Sequence, residues 1–208
     1  MLKTEGIVIK SIDYKEKDKL ITVFTRKGVM LALARGVRSP KSKLRQYCAE
    51  LSLGEFSFTE KGDKKIVSGA ELIDNFYPIW KDYAKMAAIT YCFELTETCF
   101  GKEEDTDSEF VFFIKLLKEI AYGQSVPCTI ALRYAVFCAE SFGVDYAQIE
   151  GYNKRIYDVI CAFSKCLPED CGTMPYTEED VKQALALLHN VFKNYLNFRS
   201  ATIKIILQ

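Results

Sequence analysis

The chain holds a single histidine, His189, among 208 residues, which gives little basis for a His-based catalytic triad. It also lacks a Walker-type Gly-rich loop, a Gly-x-Ser-x-Gly elbow and a His-Glu-x-x-His helix, so the common signatures of nucleotide hydrolysis, acyl transfer and zinc hydrolysis are missing. No apolar run approaches the roughly 20 residues that span a bilayer. Met1 to Lys10 alternates polar with apolar residues, unlike a signal peptide, so the chain is expected to be cytoplasmic. Prolines number only five and no low-complexity tract occurs, which argues against disorder. Eight cysteines are present, yet no Cys-x-x-Cys pair is among them. Most (Cys92, Cys99, Cys128, Cys138, Cys161) fall within apolar helical patterns, where a reduced cysteine acts as a small hydrophobe.

What is present is a well-fed core and an uneven distribution of charge. About half of the residues are apolar, with 14 Phe and 12 Tyr. The net charge is zero, but residues 1–70 carry 15 Lys and Arg against 8 Asp and Glu, and the remainder 13 against 20. A half at +7 joined to a half at −7 fits a polyanion-binding domain attached to a differently employed one.

The hydrophobic period changes at the same place. From Leu2 to about Asn75 the pattern is one of short runs: Ile7 to Lys10, Leu20 to Phe24, Val29 to Ala34, Leu51 to Phe58, and Ile66 to Leu72 after the turn-like Lys61-Gly62-Asp63. Five strands in some 70 residues are too few for a sandwich and predict a small closed barrel of the OB or SH3-like kind, with OB favoured by the spacing. After Pro78 the period becomes helical. The pattern predicts a helix from Ile79 to about Phe100, one capped by Asp107 or Ser108, one from Pro127 to Gly143, and one capped by Thr177 with Val181, Leu185, Leu188, Phe192 and Tyr195 on its apolar face. Residues 201–208 fit either the end of that helix or a short strand. The architecture expected is α+β and multidomain: an OB-fold barrel over residues 1–77 and an all-α domain over 78–208.

The positive charges concentrate between residues 10 and 45. Lys15, Lys17, Lys19, Arg26, Arg35, Arg38, Lys41, Lys43 and Arg45 are the candidate nucleic-acid contacts. Ala34 to Arg45 alone holds five cations in twelve residues and no acid. Such a segment binds phosphates by charge neutralisation, with strong salt dependence and little sequence preference. The plainer reading of a charge run is a solvated face. Tyr14, Phe24 and Tyr47 are candidates for stacking on bases, although each also fits a buried barrel position, Phe24 most of all.

Glu5-Gly6-Ile7-Val8-Ile9-Lys10, Asp13-Tyr14-Lys15-Glu16-Lys17-Asp18-Lys19-Leu20, Phe24-Thr25, and Ala34-Arg35-Gly36-Val37-Arg38 with Ser39-Pro40-Lys41-Ser42 closely resemble the N-terminal domain of the RecO family of bacterial recombination mediators. Ala70-Glu71-Leu72-Ile73 continues the likeness, which is close over residues 1 to about 80 and loose beyond. The resemblance implies an OB fold that binds single- and double-stranded DNA and anneals complementary strands without ATP. It also implies action with RecR, with the acidic tail of single-strand-binding protein, and indirectly with RecA. Many members carry a four-cysteine zinc site after a Leu-Arg-containing helix, here Leu132-Arg133 to Gly143. In this chain Cys161, Cys166 and Cys171 are spaced by five, so the insert reads as shortened or lost, and no metal or cofactor is expected. Arg133 is the candidate cation of a groove for the partner peptide, with Lys81, Lys85 and Lys115 as others.

Two other classes stand beside this one. A protein-interaction scaffold would use the barrel to grip a protein, its charges incidental. A metal-dependent nuclease would need carboxylates, and Asp13, Glu16 and Asp18, alternating with lysines, read instead as a neutralised loop. The chain is therefore expected to bind without catalysis.

Overall fold

The computed structural model describes residues 2–62, 64–101, 105–146 and 153–208. It contains β1 (Leu2–Tyr14), β2 (Asp18–Thr25), β3 (Gly28–Ala34), β4 (Leu53–Lys61) and β5 (Lys64–Asp74), then helices α1 (Tyr77–Trp80), α2 (Tyr83–Cys99), α3 (Asp107–Tyr122), α4 (Pro127–Ser141), α5 (Lys154–Lys165), α6 (Glu178–Leu196) and α7 (Ile203–Ile206). Two compact units result: Met1–Phe76 with Phe100–Phe112, and Tyr77–Cys99 with Phe113–Gln208. Residues 100–112 thus return to the barrel unit, although their sequence pattern assigns them to the helical half.

In the first unit the strands close in the order β1-β2-β3-β5-β4, with β4 antiparallel to β1. This is the OB order, and the SH3-like alternative falls away. β1 serves two neighbours, pairing through Leu2–Ile7 with β4 and through Gly6–Tyr14 with β2. A bulge at Ile9 lets it turn that corner: register shifts between Val8 and Lys10, and Ile7, Val8 and Ile9 are all buried instead of alternating. At Gly54 a Cβ would lie 2.4 Å from the carbonyl oxygen of Glu71, so only glycine permits β4 and β5 to approach there. β3 and β5 are parallel and meet at two positions, Ala32 with Lys65 and Leu33 with Ile66.

Val8, Ile21, Val23, Met30, Ala32, Ala34, Phe56, Phe58 and Val67 fill the barrel. Val37 and Cys48 join them from the β3–β4 connection. Phe24 is fully buried but lies outside that core. It occupies the outward face of β2, where Phe100 stacks on it at 5.6 Å and Phe110 meets it edge-on at 5.7 Å. Thr106 fastens the same segment, donating to the Thr25 carbonyl at 2.9 Å and accepting from the Gly28 amide at 2.7 Å.

In the helical unit α4 is buried on nearly every side, from Cys128 through Ala139. The Tyr134 hydroxyl shares a 2.6 Å hydrogen bond with Thr96 of α2. The long helix expected from residue 79 is broken at Lys81–Asp82, because Asp82 caps a new start by accepting from the amides of Ala84 and Lys85. Thr177 and Asp180 form a reciprocal capping box at the start of α6. Along that helix Val181, Leu185, Leu188 and Phe192 are buried, whereas Tyr195 is 81% exposed and does not belong to the apolar face. Asn197 ends α6 in the left-handed conformation, and residues 203–206 form a separate short helix, neither a continuation nor a strand. Gly143 takes the positive φ expected after α4, at 64°.

Candidate nucleic-acid interface

The connection from Arg35 to Ser52 is pinned at intervals. Val37, Cys48 and Leu51 are buried, the Leu51 amide donates to the Val8 carbonyl at 2.9 Å, and the Ser11 hydroxyl donates to the Cys48 carbonyl at 2.7 Å. Burial pushes the Cys48 thiol up to about 11, so it stays protonated and serves as a peg. Between the pegs Arg35, Arg38, Lys41, Lys43 and Arg45 are exposed. Lys43 and Arg45 line a shallow hollow with Ser42, Gln46 and Tyr47. This is a ribbon of cations held in fixed shape on the barrel, its apolar residues turned inward.

The β1–β2 turn stands beside that ribbon. Lys15, at φ 55°, Lys17 and the half-buried Lys19 belong to it, and Lys19 donates to the Ser11 hydroxyl at 3.1 Å. The Arg38 amide donates to the Lys17 carbonyl and its guanidinium to the Lys15 carbonyl, both at 3.0 Å. Two of the three acids here have structural partners: Asp13 pairs with Arg38 at 3.0 Å, and Asp18 accepts from the Gly36 amide at 2.8 Å, while Glu16 is exposed. Asp13 and Asp18 clasp the turn to the ribbon and do not converge as a carboxylate cluster.

Arg26 lies apart from those residues. At the β2–β3 turn its guanidinium bridges Asp107 and Glu5 and sits 5.3 Å from the centre of the Phe110 ring. It borders a groove of about 1150 Å³ along the outward side of β3, shared with Leu2, Tyr14, Leu20, Lys27, Leu31, Leu33, Lys64, Lys65, Asp105 and Asp107. Lys27, Lys64 and Lys65 line this groove and are not among the cations that charge density along the sequence singles out. The β4–β5 hairpin that carries the last two is distant in sequence and enters only through barrel closure. Of the aromatic candidates, Tyr14 lines the groove, Tyr47 lines the hollow, and Phe24 is covered by Phe100 and Phe110.

In the helical unit Arg133 is 6% exposed, and its Nε donates to the Cys166 carbonyl at 2.8 Å. Burial holds its pKa below the ordinary value, and the side chain braces the turn after α5 instead of facing solvent as a groove cation. Lys81 lies over the Tyr77 ring at 4.5 Å. Cys166 and Cys171 approach to 3.8 Å between sulfurs, and both thiols face the Leu167 carbonyl. Burial raises both pKa values, which disfavours the thiolates that zinc requires. Among the described residues no group of three or more His, Cys, Asp or Glu is placed to hold a metal. The residues present do not fit the four-cysteine zinc site. Among the described residues no helix is long and apolar enough to cross a membrane.

Residues 1–76 match the family model described as Recombination protein O N terminal. The chain is similar to a DNA repair protein RecO of Acetivibrio thermocellus, 26% identical over 95% of this chain and 83% of that one. It is also similar to DNA repair protein RecO of Clostridium perfringens, 29% identical over 91% and 80% respectively. The protein of the same description from Halalkalibacterium halodurans is 34% identical, over 45% of this chain and 37% of the other.

Proposed function

This chain belongs to the RecO family of DNA repair proteins, and from that membership we propose that it is a non-catalytic recombination mediator whose barrel binds single- and double-stranded DNA. The observation that carries the proposal is the pinned ribbon: Arg35, Arg38, Lys41, Lys43 and Arg45 lie exposed on a segment whose Val37 and Cys48 are buried in the barrel core and whose Leu44 packs against it. A fixed row of cations neutralises phosphates and releases counterions at little cost in ordering entropy. Two strands held against it repel each other less, so complementary strands pair faster with no ATP. Cytoplasmic action with RecR and with the tail of single-strand-binding protein, helping to load RecA, is the partner set that family membership brings to this reading.

Fluorescence energy transfer between labelled complementary oligonucleotides tests it. The native chain should accelerate annealing without ATP, and an Arg35→Ala, Arg38→Ala, Lys41→Ala variant should lose most of that acceleration. Equal rates with and without the protein would overturn the proposal.

A further inference from the structure

The outward face of β2 and β3 has two ends of opposite character. Toward the β1–β2 turn it is aliphatic. Leu20 stands opposite Leu33, and Leu31, 49% exposed, stands opposite Thr22. Lys64 and Lys65 flank the groove over this strip. At the other end Phe100 and Phe110 cover Phe24, and Asp105 and Asp107 enter the groove wall. Asp107 holds one side of Arg26 and Glu5 the other.

A surface meant only to neutralise phosphate gains nothing from two carboxylates or from a strip of one exposed and two half-buried leucines. We propose that this groove is selective for a single strand, and that Asp105 and Asp107 set the selectivity by occupying Arg26 and repelling a second row of phosphates. The proposal rests on the DNA-binding reading above and deepens it. Duplex DNA presents one charge per ~1.7 Å of axis and keeps its base faces inside the stack. It would meet the carboxylates with no apolar contact in return. A single strand has half that charge density and free base faces. Those faces lie on Leu20, Leu31 and Leu33 while the phosphates follow Lys64 and Lys65. The Arg35–Arg45 ribbon contains no acid of its own; Asp13 holds one of its five cations, Arg38, and the other four are exposed, so it accepts phosphates of either form. Selectivity thus belongs to the groove, and general affinity to the ribbon.

The test compares affinities of the full chain for an unpaired oligothymidylate and for a hairpin duplex of the same nucleotide count. The variants are Asp105→Asn with Asp107→Asn, and separately Leu31→Ser. Both aspartates are exposed, asparagine at 105 keeps the oxygen that accepts from the Asp107 amide, and Glu5 still holds Arg26; urea unfolding of the double variant checks that the fold is kept. The double variant should bind the duplex about tenfold more tightly, the single strand less than threefold more, and its duplex salt slope should steepen by about 0.9 as Arg26 gains a phosphate. Leu31→Ser should weaken single-strand binding about fivefold and leave duplex binding within twofold. An unchanged ratio of the two affinities in either variant overturns the selectivity proposal while the ribbon reading stands. Failure of the native chain to bind either form removes the DNA-binding reading itself.

Discussion

Replacing Thr106 with valine removes one oxygen and keeps the shape, which isolates what fastens residues 100–112 to the barrel. Thr106 is 2% exposed, and its hydroxyl both accepts from the Gly28 amide and donates to the Thr25 carbonyl. Thr25 and Gly28 are buried, so no water substitutes readily once the oxygen is gone. The stranded Gly28 N–H costs about 1–3 kcal/mol and the lost donor bond about 1 kcal/mol, partly offset by the added methyl group. The net expectation is a loss of about 2–3 kcal/mol. Urea unfolding gives the stability change, and hydrogen exchange of the Gly28 amide gives the local one. Thr98→Val is the control, because that hydroxyl is exposed and bonds only within its own helix, to Glu94; it should change stability by less than about 0.5 kcal/mol. Equal stability of the Thr106 and Thr98 variants, with Gly28 exchange unchanged, would refute the reasoning.

Three further outcomes follow from particular contacts. Tyr134→Phe should cost about 1 kcal/mol in urea unfolding, since Thr96 keeps its bond to the Cys92 carbonyl; Thr96→Val should cost about 1–3 kcal/mol, since it takes the shared bond from the buried Tyr134 hydroxyl, and the double variant should cost less than the sum because both lose that one bond. Arg155 and then Thr177 hold the Asp180 carboxyl well below its ordinary pKa, so the stability it contributes is present above about pH 4, its unfolded value, and is lost as pH falls below that. An acid titration of stability should therefore be flatter for Asp180→Asn than for the native chain. Phe192→Ala should cost about 3–5 kcal/mol by thermal or urea unfolding, and Tyr195→Ala less than about 0.5, since only the first is buried.

The strands were legible as short apolar, β-branched and aromatic runs bounded by turn residues, and the helix starts at Pro127 and Thr177 because their caps act locally. Ile9 departed from alternation because a bulge depends on the partner strand's register, which one strand does not display. Asp82 breaks the expected long helix through a side-chain cap inside an otherwise continuous helical pattern. The return of Phe100 and Phe110 to Phe24 was hidden for a similar reason: on a helix or on a barrel those rings satisfy the same apolar pattern. The ribbon cations were readable from density of charge alone. Lys64, Lys65, Asp105 and Asp107 were not, since closure of the barrel and a segment from beyond α2 bring them to the groove. Arg133 looked like a surface cation because helical position alone does not disclose that α4 is enclosed on nearly all sides.

The central claim, that the barrel's basic ribbon holds DNA by its phosphates, is tested most directly by fluorescence anisotropy of a labelled single-stranded oligonucleotide across a salt series. The native chain and the Arg35→Ala, Arg38→Ala, Lys41→Ala variant would be compared on several sequences. The account predicts sequence-indifferent binding that weakens steeply with salt, with the slope falling by about 0.7 per lost contact on a single strand in the variant. Identical affinity and identical slope in the two proteins would contradict it.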